Sequence, residues 1–269
     1  MCGRPIAVVR SITALTKLLE TRGAKFDSAD IGGSLKETTM KIVVIGGSGV
    51  LGSKVVRNLS GRGLDAVSAS PRTGVNAITG EGLPEALSGA DVIVDVSNAP
   101  TFDDDPVMEF FTTSTKNLLA AAAGAVIAHY VAVSIVGCDQ LPDSGYMRAK
   151  VAQEKLIELA DVPYTIVRAT QFVEFAEAIV ASLTVGNQVR VPDALIQPVG
   201  TQELADEVAR VAEAHPVNGI VNVGGPDKIS FEQLAREVLA SKGESKTVVV
   251  DPQATYFGTP LATNSLVIS

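Results

Sequence analysis

Apolar and polar positions along this chain alternate between two periods. Residues 41–45 are a β-branched run of strand length, and beyond them Val50, Leu51, Val55, Val56 and Leu59 recur at helical spacing. The exchange repeats downstream. Residues 64–69 read as a second strand, residues 75–78 as a short, weak third, and residues 83–87 as a brief helix. Residues 91–96 form a strongly apolar strand. Asp103, Asp104 and Asp105 suit a helix N-terminus, and the helix they open runs to about Ala123. Residues 130–136 read as the next strand, 146–160 as a helix, 164–167 as a strand, and Arg168 opens a helix toward Leu183. This order predicts an α/β fold with a doubly wound parallel sheet.

The last third is patterned differently. Residues 188–191 and 196–199 are short strands between Pro and Gly punctuation, and residues 202–214 read as a helix. A strand at 219–223, a helix at 231–242 capped by Ser230, and a closing strand at 247–250 follow. The division predicted is 40–185 for the core and 186–269 for a small α/β substrate lobe interleaved with it. Residues 1–39 stand apart as an N-terminal extension. A short helix is predicted there over 12–21, and the early basic residues faintly resemble an organelle transit peptide. Met40, directly before the first strand, leaves two readings open: a start misassigned upstream, or a genuine appendage.

Between the first strand and helix lie Gly46, Gly47, Ser48, Gly49, Val50, Leu51 and Gly52. The spacing reads as Gly46-x-x-Gly49-x-x-Gly52 or as Gly47-x-Gly49-x-x-Gly52. Strand, glycine turn and helix together make a dinucleotide cradle. One glycine turns the chain, another admits the pyrophosphate, and a third lets the helix pack on the sheet, with its N-terminus facing the phosphates. After the second strand no carboxylate waits for a ribose 2′-hydroxyl. Ser70 and Arg72 stand there instead, which favours NADP(H) over NAD(H). Ser97 and Asn98 end the 91–96 strand and should lie over the cofactor.

Bulk composition narrows the partners. With 46% hydrophobic and 19% charged residues this is a packed globular chain, and its net charge of -8 argues against nucleic-acid or anionic-membrane surfaces. No apolar run approaches the ~18 residues of a membrane span. Cys2 and Cys138 give no disulfide framework, and His129 and His215 read as strand-edge or surface residues, so no metal site is expected. A cytoplasmic monomer or homodimer acting on a small molecule is the expectation.

Tyr146 and Lys150 lie four apart on one helix face, and Ser134 ends the preceding strand. A lysine can lower a tyrosine pKa for proton transfer while a serine orients a substrate oxygen and a nicotinamide supplies hydride. The glycine loop, Asn117-Leu-Leu-Ala-Ala-Ala, Ser134 and Tyr146-x-x-x-Lys150 together resemble an atypical short-chain dehydrogenase/reductase of the NmrA-like NAD(P)-binding kind, over about residues 40–257. The resemblance implies a Rossmann sheet, with Tyr146 as proton donor and Ser134 orienting substrate. Lys150 would hold the ribose and tune Tyr146. Asn117 matches the family's proton-relay asparagine, or is a plain helix asparagine. Phe102, Gln171, Phe172 and Phe175 are candidate pocket residues, with ordinary core as the alternative for the aromatics. The chain departs from the family's pattern at Ile78-Thr-Gly-Glu-Gly, where an adenine-contacting aspartate is absent, and at Arg168-Ala169 in place of Arg-Pro. Three functions follow: an NAD(P)H-dependent oxidoreductase of a small carbonyl or quinone, an NADP-binding sensor without turnover, and a sugar-nucleotide epimerase or dehydratase.

Overall fold

Strands and helices alternate from the first described residues onward in the computed structural model, which describes residues 39–269. The expectations for the extension fall outside this range. In chain order the strands are β1 (Lys41–Ile45), β2 (Asp65–Ala69), β3 (Val92–Asp95), β4 (His129–Ile135), β5 (Tyr164–Ala169), β6 (Thr184–Val185), β7 (Gln188–Val191), β8 (Leu195–Ile196), β9 (Gly219–Val223), β10 (Ile229–Ser230) and β11 (Thr247–Val250). The helices are α1 (Val50–Gly61), α2 (Leu83–Leu87), α3 (Asp104–Ala125), α4 (Gly145–Glu158), α5 (Ala176–Ser182), α6 (Thr201–Glu213) and α7 (Phe231–Lys242).

Six strands pair in the order β2-β1-β3-β4-β5-β9, and every pairing is parallel. The protein therefore has the Rossmann-like doubly wound α/β fold. Both faces of such a sheet are covered, so its strands read as near-continuous apolar runs. Ile42, Val44, Val92, Val94, Val131 and Val167 face α1 and α6, whereas Val43, Ile45, Ile93, Tyr130, Ala132 and Ile166 face the α2–α4 side. The chain leaves β1 toward β2 on one side and reaches β3 on the other. This reversal is the switch point at which open α/β sheets bind ligands beyond the strand C-termini.

After β5 the chain builds a second core. β7 pairs with β6 and β11, β8 with β10, and α5 and α7 bury Ile179, Val180, Phe231, Leu234 and Val238 against Val189, Val191 and Ile196. β9 then returns to the main sheet, and the irregular tail lays Leu266 beside Ile196.

Three predicted elements change. Residues 75–78 are a turn instead of a strand, because the Asn76 side chain accepts from the Ile78 amide at 2.9 Å and so competes with ladder bonding. β5 continues through Arg168 and Ala169, paired to Ser134 and Ile135, and α5 begins only at Ala176. The 196–199 strand shrinks to Leu195–Ile196, with Val199 making an isolated bridge to Phe172. His129, expected at an edge or on the surface, is 2% exposed. Burial pushes its pKa down to about 4, and its Nε2 pairs with Thr165 Oγ1 at 2.9 Å.

Candidate functional site

The glycine turn sits at the switch point. Gly46 has a φ of +79°, and a Cβ there would lie 2.9 Å from Ser97 Cα, so the loops after β1 and β3 touch backbone to backbone. A Cβ on Gly52 would come within 2.2 Å of the Gly46 carbonyl oxygen, so no other residue lets α1 start this close to β1. Gly49 is the N-cap, and the helix carries no side-chain cap and no acid in its first turn. The N–H groups of Val50, Leu51 and Gly52 precede the first intrahelical donor, the Ser53 amide bonded to the Gly49 carbonyl at 3.0 Å, and stay free for an anion. Val50 is 65% exposed beside them, Leu51 is buried under them, and Gly47 and exposed Ser48 complete the turn. A pyrophosphate fits this arrangement.

At the end of β2, Ser70 Oγ is buried without a partner among the described residues, while the Ser70 amide donates to Thr73 Oγ1 at 2.9 Å. Arg72 is exposed in the short turn that follows and forms no ion pair among the described residues.

Tyr146 stands in the first turn of α4, where Ser144 caps the helix by accepting from the Met147 amide. Its hydroxyl donates to Asn98 Oδ1 at 2.7 Å, and its ring meets Phe102 and Phe111 at centroid distances of 5.2 and 5.7 Å. Burial pushes the Tyr146 hydroxyl up to about 12, against the pull of the Asn98 bond. Lys150, one turn on, is turned inward. Its Nζ donates to the Val133 carbonyl at 2.8 Å and to Gln153 Oε1, over the face of Phe111. Burial lowers Lys150 to about 8, with Asp95, Glu154 and Cys138 opposing. The lysine thus makes no hydrogen bond to Tyr146, and its expected lowering of the tyrosine does not operate in this arrangement.

Ser134 Oγ is buried beside the Cys138 thiol and meets no geometric hydrogen-bond partner among the described residues, which marks a place where a ligand oxygen would complete a hydrogen bond. Both polar atoms of the Gln171 side chain are likewise buried and unpartnered among the described residues, just after β5. Phe172 and Phe175 stack at 5.6 Å beside it, and Phe175 and Phe102 are 52% and 69% exposed. Asn117 lies elsewhere. Its amide donates to the carbonyls of Ala77 and Ile78 at 3.0 and 2.7 Å, so it pins the 75–82 turn to α3, and no hydrogen bond joins it to Tyr146.

Several residues were not singled out from the sequence. Asp95 ends β3 buried at 1% exposure, and Gln153 joins it. Glu154 holds Arg168 through two bonds of 2.9 and 2.7 Å, and Arg168 also reaches Asp139 at 3.1 Å. A carboxylate within the Val-Ile-Val-Asp-Val run was the available signal for the first. Gln153 and Glu154, one turn past Lys150, gave none.

Residues 46–214 match the profile of the NAD(P)H-binding family. The chain belongs to that family. The matched span begins at the cradle and runs through Lys150 to the end of α6. Among curated proteins this family member resembles the photosystem II assembly factor Ycf39 of Synechocystis sp., 26% identical over 149 residues, 50% of this chain and 46% of that protein. It also resembles the chloroplastic divinyl chlorophyllide a 8-vinyl-reductase of Cucumis sativus, 27% identical over 223 residues, 70% of this chain and 53% of that protein. The chain thus spans about half the length of the curated relatives it matches. Among solved structures, the UDP-glucose 4-epimerase of Thermus thermophilus complexed with NAD superposes with a TM-score of 0.64. It is 17% identical, over 84% of this chain and 92% of that one. The triphenylmethane reductase of Citrobacter sp. complexed with NADP(H) gives a TM-score of 0.61. It is 20% identical, over 80% of each chain. At these identities the likeness is one of fold. No helix among the described residues is long and apolar enough to cross a membrane.

Proposed function

We propose that this member of the NAD(P)H-binding family is an NADPH-dependent reductase of the NmrA-like short-chain type, acting on a small conjugated carbonyl or quinone. The observation that carries the reading is a buried Ser134 hydroxyl, unpartnered among the described residues, next in sequence to the Val133 carbonyl that Lys150 holds, with Tyr146 one turn earlier on α4. Bound NADPH would lie with its pyrophosphate on the N–H groups of α1 and would supply the hydride. Ser134 would donate to the substrate oxygen, and Tyr146 would pass it a proton once its hydroxyl leaves Asn98. With a carbonyl substrate, a proton donor at about 12 gives its proton to the alkoxide, a stronger base, and not to the neutral carbonyl, so proton transfer follows hydride arrival; the weaker phenolate left by a quinone would take its proton from solvent. Phe102, exposed and against the Tyr146 ring at 5.2 Å, offers an aromatic face suited to a conjugated substrate. Ser70 and Arg72 support NADP(H): a 2′-phosphate answers an unpartnered hydroxyl and an unpaired guanidinium.

A second reading has its own observation. Tyr146 bonded to Asn98, with Lys150 turned away from it, also describes a binding protein that senses NADPH without turnover. Two curated relatives bear an assembly factor's name and a reductase's name respectively, so both readings have a counterpart among similar chains.

The deciding experiment is NADPH oxidation by the purified protein across a carbonyl and quinone panel, with Tyr146→Phe alongside. Turnover that falls by about 100-fold in the variant, at unchanged NADPH affinity, supports the reductase and its donor. Tight NADPH binding with no oxidation on any substrate favours the sensor. Turnover that survives the substitution removes Tyr146 from the chemistry.

A further inference from the structure

Asp95 is a buried carboxylate that the proposed reaction leaves unused. Its Oδ1 accepts the Ser97 amide at 3.0 Å and the Ser97 hydroxyl at 2.6 Å. Its Oδ2 accepts the Tyr130 hydroxyl and the Gln153 amide nitrogen, both at 3.1 Å. Gln153 turns its other end to the Lys150 ammonium. One side-chain amide, 1% exposed, therefore stands between a buried carboxylate and a buried ammonium and satisfies both. The contacts then close on themselves. Ser97 precedes Asn98, Asn98 accepts from Tyr146, and Tyr146 lies one turn before Lys150 on α4.

We infer that Asp95 and Gln153 are positioning residues of this site: a carboxylate–amide tether that holds the Lys150 ammonium and the Ser97–Asn98 turn in one frame beside the cofactor cradle. The inference rests on the reading of Tyr146 and Lys150 given above. A direct Asp–Lys contact would draw the ammonium out to β3 and off the α4 face. The interposed amide keeps the charges attracted but apart, and since it does not titrate it transmits position without taking the proton. The turn so held is the one whose Ser97 Cα limits Gly46, so movement of Asp95 reaches the cradle through backbone contact.

Few other charges bear on Lys150. Glu154, on its own helix, is paired to Arg168, and Arg168 in turn to Asp139. The Cys138 thiol in the turn after β4 is pushed up to about 12 by burial, and Tyr130 is raised well above its ordinary value by burial and by Asp95, so both are neutral. Asp95 is left as the carboxylate that reaches the ammonium through an uncharged group.

The test uses the full chain with Asp95→Asn, Gln153→Leu and the conservative Gln153→Glu. Two readouts need no turnover: NADPH affinity by nicotinamide fluorescence, and the pH titration of the Lys150 Cε resonance by NMR, assigned with Lys150→Met. Asp95→Asn removes a negative charge and frees Ser97. It should move the Lys150 titration midpoint down by about one pH unit and weaken NADPH about tenfold. Gln153→Glu sets a carboxylate against the ammonium and should move that midpoint up by a similar amount. Gln153→Leu should lower kcat about tenfold with KM steady wherever wild-type turnover is found, since the ammonium loses its position but the pocket keeps its walls. Opposite midpoint shifts in the first and third variants, with melting temperatures held, support the tether. Wild-type midpoints and NADPH affinity in both would overturn it. A wild-type protein that binds NADPH and never turns over sinks the reductase reading, and the same two measurements still decide the tether.

Discussion

The two faces of the central sheet bury side chains of different kinds. Against α1 and α6 the packing is almost wholly Val, Ile, Leu and Ala, and the one buried histidine there, His129, is held neutral by burial. Against α3 and α4 the same strands carry Asp95, Ser134 and Arg168 among their apolar residues, and α4 answers with Lys150, Gln153 and Glu154. A face built only to hold the fold would not take on those charges, because well-packed apolar groups of the same volume are often as stable or more so. Their position at the C-terminal halves of the strands, beside the glycine cradle, places the costly groups where a ligand would bind. On the proposed reading, the contrast separates residues that keep the protein folded from residues that give up some of that stability for chemistry.

The largest effect is expected where the two demands meet. Gly52 belongs to the helix of the apolar face and also closes the cradle, and a side chain there collides with the backbone of Gly46. Gly52→Val should abolish NADPH binding and cost several kcal/mol of stability, because α1 must move off β1. Fluorescence titration and thermal melting would check both. A folded variant with wild-type NADPH affinity would show that the cradle is not the phosphate site.

Next come two substitutions that pull the faces apart. Leu204 is fully buried under the sheet on the α6 side, and Leu204→Ala should cost about 2–5 kcal/mol while leaving NADPH affinity of the folded protein near wild type. Lys150→Met should do the reverse. The lysine falls from its ordinary value of 10.5 to about 8, so below pH 8 the folded state holds a charge that burial opposes. The penalty is absent above 10.5, grows as pH falls and is complete below about 8, reaching about 3 kcal/mol at neutral pH. Removing the charge recovers that penalty but strands the Val133 carbonyl and Gln153 Oε1, at about 1–3 kcal/mol each. Stability within about 1 kcal/mol of the parent, with turnover down at least about 100-fold, is the expected result of urea melts and assays. Equal destabilisation by both variants would dissolve the contrast between the faces.

Much of the apolar face was legible in the sequence, because β-branched runs and helical spacing are local signals and each strand is buried on both sides. The cradle, Ser134 and Tyr146 were legible for the same reason: each lies at a strand end or helix start that the pattern locates. The turn at residues 75–78 was misread because apolar Val75 and Ile78 outweighed Asn76, whose side chain bonds the backbone and breaks the ladder. The polar network escaped because its partners meet only in three dimensions. Asp95 and Gln153 are 58 positions apart, and no spacing rule connects a strand end to a helix three elements later. Lys150 was placed on the correct helix face, but which of its neighbours it touches depends on Gln153 and Val133, which one-dimensional spacing to Tyr146 does not weigh.

The smallest effect is the one that best tests how far the polar face is functional throughout. Asn117 lies on that face, matches the relay asparagine of the resemblance, and yet holds the carbonyls of Ala77 and Ile78. If its work is to pin that turn, Asn117→Ala should cost about 1–3 kcal/mol by leaving two acceptors unmet. NADPH binding should weaken only slightly, through the loosened turn. The pH dependence of turnover should not move, because no proton passes through the residue. A relay predicts a different outcome: unchanged melting, a fall in kcat and a displaced pH profile. Melting and a pH–rate series on the same preparation distinguish the two, and a relay result would extend the chemical part of the polar face along α3, beyond α4 and the strand ends.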